Sequence, residues 1–254
     1  LMQRRLWFLE QMTPGTTIYN LPSAFRLAGA LDVSALQRSL TEIVRRHDSL
    51  RTPLRFVEGE AVQVVEDALD VALEVSSLEA LAEPERDARM RAMLQDATDR
   101  PFDLGTAPLF RSFIIRMAPD DHVWFFMPHH AVWDGWSFDI LLREMAVHYA
   151  AFAKGASSPL PELPIRYADF AVWQERWLES PDREKELAFW RDKLAGTLPL
   201  LEFPTDRTRP ADMSFAGDTE WVRISKERAD QLRTLAHSTG GTLYMALVAA
   251  FFAL

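Results

Sequence analysis

The sequence has no cysteine in 254 residues, so disulfides are excluded, and with them zinc sites built on thiolates. It has no excess of positive charge either: 28 Lys and Arg stand against 37 Asp and Glu, a formal charge of -9. That leaves no basic footprint for nucleic acid or an anionic membrane. Nothing at the start has the form of a signal peptide. The apolar stretch 242–254 is too short to cross a bilayer. Internal repeats and low-complexity tracts are missing, and no Gly-x-Ser-x-Gly elbow surrounds Ser137. What is present is the composition of a globular protein, 48% apolar and 26% charged, long enough for one large domain or two smaller ones. A cytoplasmic location is the simplest reading.

Apolar periodicity sets out the elements in a mixed order. Residues 3–12 read as a helix and 17–27 as a strand-like stretch. Asp32 is placed to cap a helix whose apolar face is Leu36, Leu40, Ile43 and Val44. Residues 50–57 and 61–65 flank Glu58-Gly59-Glu60 as a hairpin, and 71–75 is a short strand. Pro84 opens a helix to about Thr98, after which 109–117 alternates as a strand. Beyond the Pro-bearing link 159–164 come helices at 167–178 and 182–195, a long loop at 197–217, a strand at 219–224 and two last helices. This order of α and β elements is not the strict alternation of a doubly wound sheet. A boundary is expected at 178–182. No initiator Met precedes Leu1, and the final helix is apolar on nearly every face, so it needs protein packed around it. The chain is therefore expected to be a fragment, poorly soluble and inactive when produced alone.

The chemistry is expected between the last two elements of the first half. Residues 122–127 are almost wholly apolar and read as a buried strand; after Ser137, Phe138, Leu141, Leu142, Met145 and Tyr149 recur at helical spacing. His129, His130, Asp134 and Gly135 sit on the short link between them, as reactive groups held by a rigid scaffold often do. Adjacent residues of an extended chain point to opposite sides. One histidine should therefore face a cavity and the other the scaffold, and the two are not joint ligands of one metal. A bland reading keeps both as structural histidines. Asp134 can orient an imidazole, cap the following helix or pair with an arginine, and Gly135 permits a turn that a side chain would forbid. Ser137 is expected to help the helix start. A neutral imidazole without a nucleophilic side chain suits direct transfer, in which it assists an amine or hydroxyl attacking an acyl group.

His129-His130-Ala131-Val132-Trp133-Asp134-Gly135 resembles the HHxxxDG motif of nonribosomal peptide synthetase condensation domains, and Trp136-Ser137 continues the likeness. Gln3-Arg4-Arg5-Leu6-Trp7-Phe8-Leu9 is similar to the family's first motif, without its opening Ser-x-Ala. Arg46-His47-Asp48-Ser49-Leu50-Arg51-Thr52 is similar to the second, and Tyr167-Ala168-Asp169-Phe170-Ala171-Val172-Trp173-Gln174 to the fourth. Four matches in order cover most of the chain; the family's later motifs are absent.

The resemblance implies a chloramphenicol-acetyltransferase-like α/β fold: two similar lobes in a V, with the histidine motif at their junction. Residues 1–178 would be the N-terminal lobe, and 179–254 a linker and the beginning of the second. By position His130 is the catalytic residue, deprotonating or orienting an attacking α-amine, and His129 is structural. Asp134 is architectural, held by Arg46 or, failing that, Arg51. Gly135 lets a substrate arm approach the backbone. Gln3, Arg51, Trp136, Ser137, Tyr167 and Trp173 occupy motif positions that line a substrate channel or pack the core, and for Trp173 packing is favoured. The implied reaction is peptide-bond formation between a donor aminoacyl or peptidyl thioester and the amine of an acceptor, in antibiotic or other secondary-metabolite biosynthesis. Both groups ride on phosphopantetheine arms of upstream and downstream peptidyl carrier domains, beside an adenylation domain. No metal or cofactor of the chain's own is expected, nor a nucleic acid or membrane partner. The rivals are a stand-alone acyltransferase using a diffusible acyl thioester and a non-catalytic lobe that only docks a carrier.

Overall fold

The computed structural model describes residues 2–69, 71–200, 205–208, 210, 220 and 222–253. Two compact units divide the chain, residues 1–201 and 202–254. The first runs α1 (Met2–Met12), β1 (Ser23–Ala28), α2 (Val33–Arg46), β2 (Leu54–Val57), β3 (Glu60–Gln63), β4 (Glu74–Ser77), α3 (Glu85–Thr98), β5 (Phe110–Ala118), β6 (Asp121–Pro128), α4 (Gly135–Phe152), α5 (Tyr167–Leu178) and α6 (Pro181–Lys193). In the second lie α7 (Lys226–Ser238) and α8 (Leu243–Phe252), the latter capped by Thr242.

Every side chain from His122 to Pro128 is buried, because β6 is covered on both faces. On one face Trp124 and Phe126 pack with Leu40 and Ile43 of α2 and with Leu141 and Met145 of α4. On the other, Phe125 and Met127 meet Leu109, Phe102 and Ala97, with Leu6 and Trp7 of α1 alongside. A strand buried on both sides reads as a continuous apolar run rather than an alternating one. The sheet order is β1-β6-β5-β4, with β6 antiparallel to both neighbours and β4 parallel to β5. β2 and β3 form a separate hairpin.

The expected elements recur with shifts that tertiary pairing explains. The stretch at 17–27 contracts to β1, where pairing with β6 begins at Ser23 opposite Phe126. The strand placed at 71–75 forms at 74–77 because its partners are residues 113–116 of β5, while Val71 and Leu73 are core residues ahead of it. Residues 48–51 make a single 3-10 turn before the hairpin. Of the strand expected at 219–224, residues 219 and 221 lie outside the described residues, and 220 and 222–224 form none.

A polar strap ties the link between α4 and α5 back to the end of α2. Arg45 bridges Glu162 at 2.6 Å, Arg46 donates to the Pro161 carbonyl, and Arg166 bridges the buried Asp48 at 3.0 Å. Arg51 holds the other carboxylate oxygen of Asp48. Beneath the strap, Glu144 of α4 forms an ion pair with Arg46, whose Nε lies 3.2 Å away, and receives His47 Nε2 at 2.8 Å. No residue of α5 is buried, so its first residue, Tyr167, is placed by these polar ties rather than by core packing. Removing one member of a buried ion pair strands the other, at a cost of about 3–5 kcal/mol. Glu144→Ala is therefore expected to lower unfolding stability by about 3 kcal/mol, read as a fall in the urea midpoint at unchanged slope. A midpoint within experimental error of the parent would mean that the Pro161 carbonyl alone satisfies Arg46.

Candidate functional site

Where β6 ends, the chain leaves the sheet but stays buried, so each backbone group must find a partner. The His129 amide donates to Leu109 O at 2.8 Å, and the His130 amide to Tyr19 O at 2.8 Å. The two side chains then part, as adjacent extended residues must. His129 turns inward between Tyr19 and Phe102, both edge-on to its ring, and is 2% exposed. Its Nδ1 accepts from the Ala131 amide at 3.0 Å.

His130 faces outward, and its Nδ1 lies 2.8 Å from the Trp133 carbonyl. A carbonyl can only accept, so Nδ1 carries the proton and the neutral ring keeps its lone pair on Nε2. The ring lines a cavity of about 460 Å³ together with Gln3, Tyr19, Trp133, Asp134, Ser137 and Tyr167. A second cavity of about 250 Å³ shares Gln3 and Tyr167 with it. Apolar side chains of α1, Met2, Leu6 and Leu9, also line the larger cavity, as does Ser49. Sequence reasoning missed Tyr19 and these α1 positions. A stripe recurring three to four residues from Gln3 is the signal the sequence holds for α1; Tyr19 offers none, because its contacts with His129 and His130 are made across more than 100 residues of chain.

Several expected roles are corrected by the geometry. Asp134 does not pair with Arg46 or Arg51. It caps α4, accepting from the Ser137 amide at 3.0 Å and the Ser137 hydroxyl at 2.7 Å, while Ser137 Oγ accepts from the Asp134 amide at 3.2 Å. Arg46 is taken by Glu144 and the Pro161 carbonyl, and Arg51 by Asp48 and the Glu66 carbonyl. Gly135 is the first residue of α4 in ordinary helical backbone, so no turn demands it. Nothing lies within 4 Å of where a Cβ would stand there, which leaves that side open. Trp136 is 78% exposed, and Trp173 is 57% exposed and rests on Phe170 rather than in a core. Among the described residues no three His, Cys, Asp or Glu side chains converge as a metal would require.

The environments separate the titratable groups. Burial holds His129 neutral, lowering its pKa to about 4, with the neighbouring His130 adding to the effect. Burial also lowers His148, packed against Phe152 on α4. Partial burial and the nearby charge of Asp134 raise the pKa of the Tyr167 hydroxyl. A histidine whose folded pKa falls from about 6.5 to about 4 leaves the unfolded chain binding the extra proton between those values. Its contribution is thus complete above pH 6.5 and is lost as the pH falls toward 4, by about 3 kcal/mol in total. Urea unfolding of the parent and of His129→Gln at pH 7 and pH 4.5 is expected to show a markedly shallower acid loss in the variant. Parallel losses would mean that His129 is not held neutral.

The family model described as Condensation domain matches residues 1–254. A linear gramicidin synthase of Brevibacillus parabrevis is 44% identical over 249 residues, 98% of this chain and 5% of that protein. Phosphinothricin tripeptide synthetase PhsC of Streptomyces viridochromogenes is 36% identical over 252 residues, 99% of this chain and 23% of that protein. The chain thus spans a small part of the curated relatives it matches. The X-domain from teicoplanin biosynthesis is similar in structure, with a TM-score of 0.77 at 29% identity, over 94% of this chain and 52% of that one. The starter condensation domain of rhizomide synthetase RzmA gives a TM-score of 0.69 over 76% of this chain and 46% of that one, at 21% identity, a likeness of fold alone. The mixed α/β, chloramphenicol-acetyltransferase-like class expected from the motifs is the observed one. With a family match along its whole length and relatives at 36% and 44% identity over nearly all of it, the chain belongs to the condensation-domain family.

Proposed function

We propose that this chain takes part in peptide-bond formation in nonribosomal peptide synthesis, with His130 as its reacting group. The single observation behind the proposal is the Trp133 carbonyl on His130 Nδ1, which leaves a proton-accepting Nε2 on a ring lining the 460 Å³ cavity. A donor aminoacyl or peptidyl group arrives as a thioester, and an acceptor arrives with a free α-amine. The amine nitrogen attacks the thioester carbon, and His130 Nε2 accepts the amine proton as the C–N bond forms. The tetrahedral intermediate expels the sulfur, the C–S bond breaks, and the proton passes to the departing thiolate. The products are an amide and a free thiol, so no redox partner enters the balance.

Both acyl groups are carried on phosphopantetheine arms of upstream and downstream carrier domains, next to an adenylation domain, in the cytoplasm. The chain contributes no cofactor of its own. That it matches small portions of gramicidin and phosphinothricin tripeptide synthetases supports carrier-bound substrates over a diffusible acyl thioester. Residues 1–178 make up the N-terminal lobe, and 179–254 the link and the beginning of the next. His129 keeps the motif packed against Tyr19 and Phe102, Asp134 and Ser137 fix the start of α4, and the open side at Gly135 admits a substrate arm.

The test uses the protein that carries this chain, with donor and acceptor carriers loaded. His130→Ala is expected to slow dipeptide formation by about 10²- to 10⁴-fold while its thermal melt stays cooperative and unshifted. Unchanged dipeptide formation would sink the assignment. Loss of activity in a folded His129→Ala variant, with His130→Ala active, would reverse the roles of the pair.

A further inference from the structure

We infer that Gln3 is a positioning residue for His130, acting through the backbone of the loop that carries it. The inference rests on the reading of His130 as the reacting group. Gln3 lies on α1, 128 residues away in sequence from Ala131, and is 7% exposed. Its Nε2 donates to the Ala131 carbonyl at 2.8 Å, the next carbonyl after His130. Its Oε1 accepts from Nε2 of Gln63 on β3. Because the Ala131 carbonyl can only accept, the orientation of the Gln3 amide is fixed, and its oxygen is left for Gln63.

The ties within the loop show why this one matters. The amides of His129 and His130 are held by Leu109 O and Tyr19 O, and those of Ala131 and Val132 by His129 itself. Those bonds fix the start of the loop. Further on, the Trp133 carbonyl must meet His130 Nδ1, and it lies two peptide units beyond Ala131. Gln3 holds the carbonyl end of the peptide unit whose amide end, at Val132, donates to His129 O, and this is the last unit gripped from both ends before the Trp133 carbonyl. A buried carbonyl that loses its donor costs free energy and turns to find another. With the Gln3 grip gone, the peptide plane after residue 131 is held at its amide end alone, and its turning would weaken the Val132 bond to His129 O and carry the Trp133 carbonyl away from His130 Nδ1, freeing the ring to rotate and to change tautomer. The role needs an amide in particular: a donor toward Ala131 and an acceptor toward Gln63 on one planar group. A glutamate keeps the acceptor and loses the donor; a methionine fills the space with neither.

Gln3→Met and Gln3→Glu, made in the protein that carries this chain and assayed with loaded carriers, test the inference. Both are expected to lower kcat by about 10- to 100-fold, with the KM for the acceptor carrier within about twofold of the parent, and a cooperative melt close to it. Gln63→Met should lose less, and should add nothing further in the Gln3→Met background, since the two amides act as one unit. Unchanged kcat in a folded Gln3→Met variant overturns the inference. So does a loss confined to KM, which would make Gln3 a substrate contact, and so does collapse of the melt in both variants, which would make it a structural residue only. His130→Ala run in parallel separates the two readings. If that variant is fully active, the proposed function fails; if it is inactive while Gln3→Met turns over normally, only the positioning role fails.

Discussion

The burial of β6 on both faces is the constraint from which the site derives. A strand covered by α2 and α4 on one side and by α1 and α3 on the other cannot shift its register without moving large side chains such as Trp124 and Phe125 to the wrong layer. The chain therefore leaves the sheet at Pro128 in one place and one orientation. The loop beyond Pro128 is still surrounded by protein, so its amides and carbonyls must be paired locally. Leu109 and Tyr19 supply carbonyls, Gln3 supplies a donor, His129 takes the amides of Ala131 and Val132, and the capping box of Asp134 and Ser137 closes the loop at the start of α4. The outward ring of His130 is the consequence of a strand that cannot slip and a loop whose backbone is tied at both ends.

Polar contacts take over where apolar packing stops. Beyond α4 the chain offers little to bury: α5 and α6 have no buried residues among those described. Arg45, Arg46 and Asp48 fasten the returning link at Glu162, Pro161 and Arg166, one residue ahead of Tyr167. Exposed pairs such as Arg45 and Glu162 contribute little to stability. Asp48 is different, because burial between Arg51 and Arg166 makes its geometry costly to change. Motif residues that are candidates, by position, to hold Asp134 are thus used to place Tyr167, which lines the same cavity.

Legibility in the sequence tracks the range of the interaction that decides each feature. Asp32 caps α2 through a contact three residues away, and the sequence shows it. The continuous run at β6, the change of period after Ser137 and the parting of two adjacent histidines are equally local, and all appear in the structure. Long-range partners leave no such mark. Glu144 sits on the buried face of α4 with Leu141, Met145 and His148, and its link to His47 spans 97 residues, so the motif positions alone point Arg46 to the wrong carboxylate. The strand expected at 71–75 moves for the same reason: apolar content marks Val71 and Leu73, but pairing with β5 selects 74–77. Gly135 suggests a backbone necessity when only its neighbours in sequence are considered, whereas it occupies ordinary helix with open space at its α-carbon.

Two neighbouring imidazoles with opposite surroundings also explain how one motif can hold structure and chemistry together. His129 has lost its charge to burial, and it uses its Nδ1 lone pair on a backbone amide and its ring faces on Tyr19 and Phe102. A protonated His129 would repel any proton arriving on His130 next to it, by simple Coulomb repulsion at close range in a partly buried site. Holding the inner ring neutral therefore serves the outer one twice: it lets the strand end stay packed, and it removes a competing positive charge. The outer ring is constrained through one nitrogen only, by the Trp133 carbonyl, which leaves its other nitrogen for a reacting proton. Pairs of like groups whose environments push them apart in this way are how a folded chain assigns different roles to the same side chain.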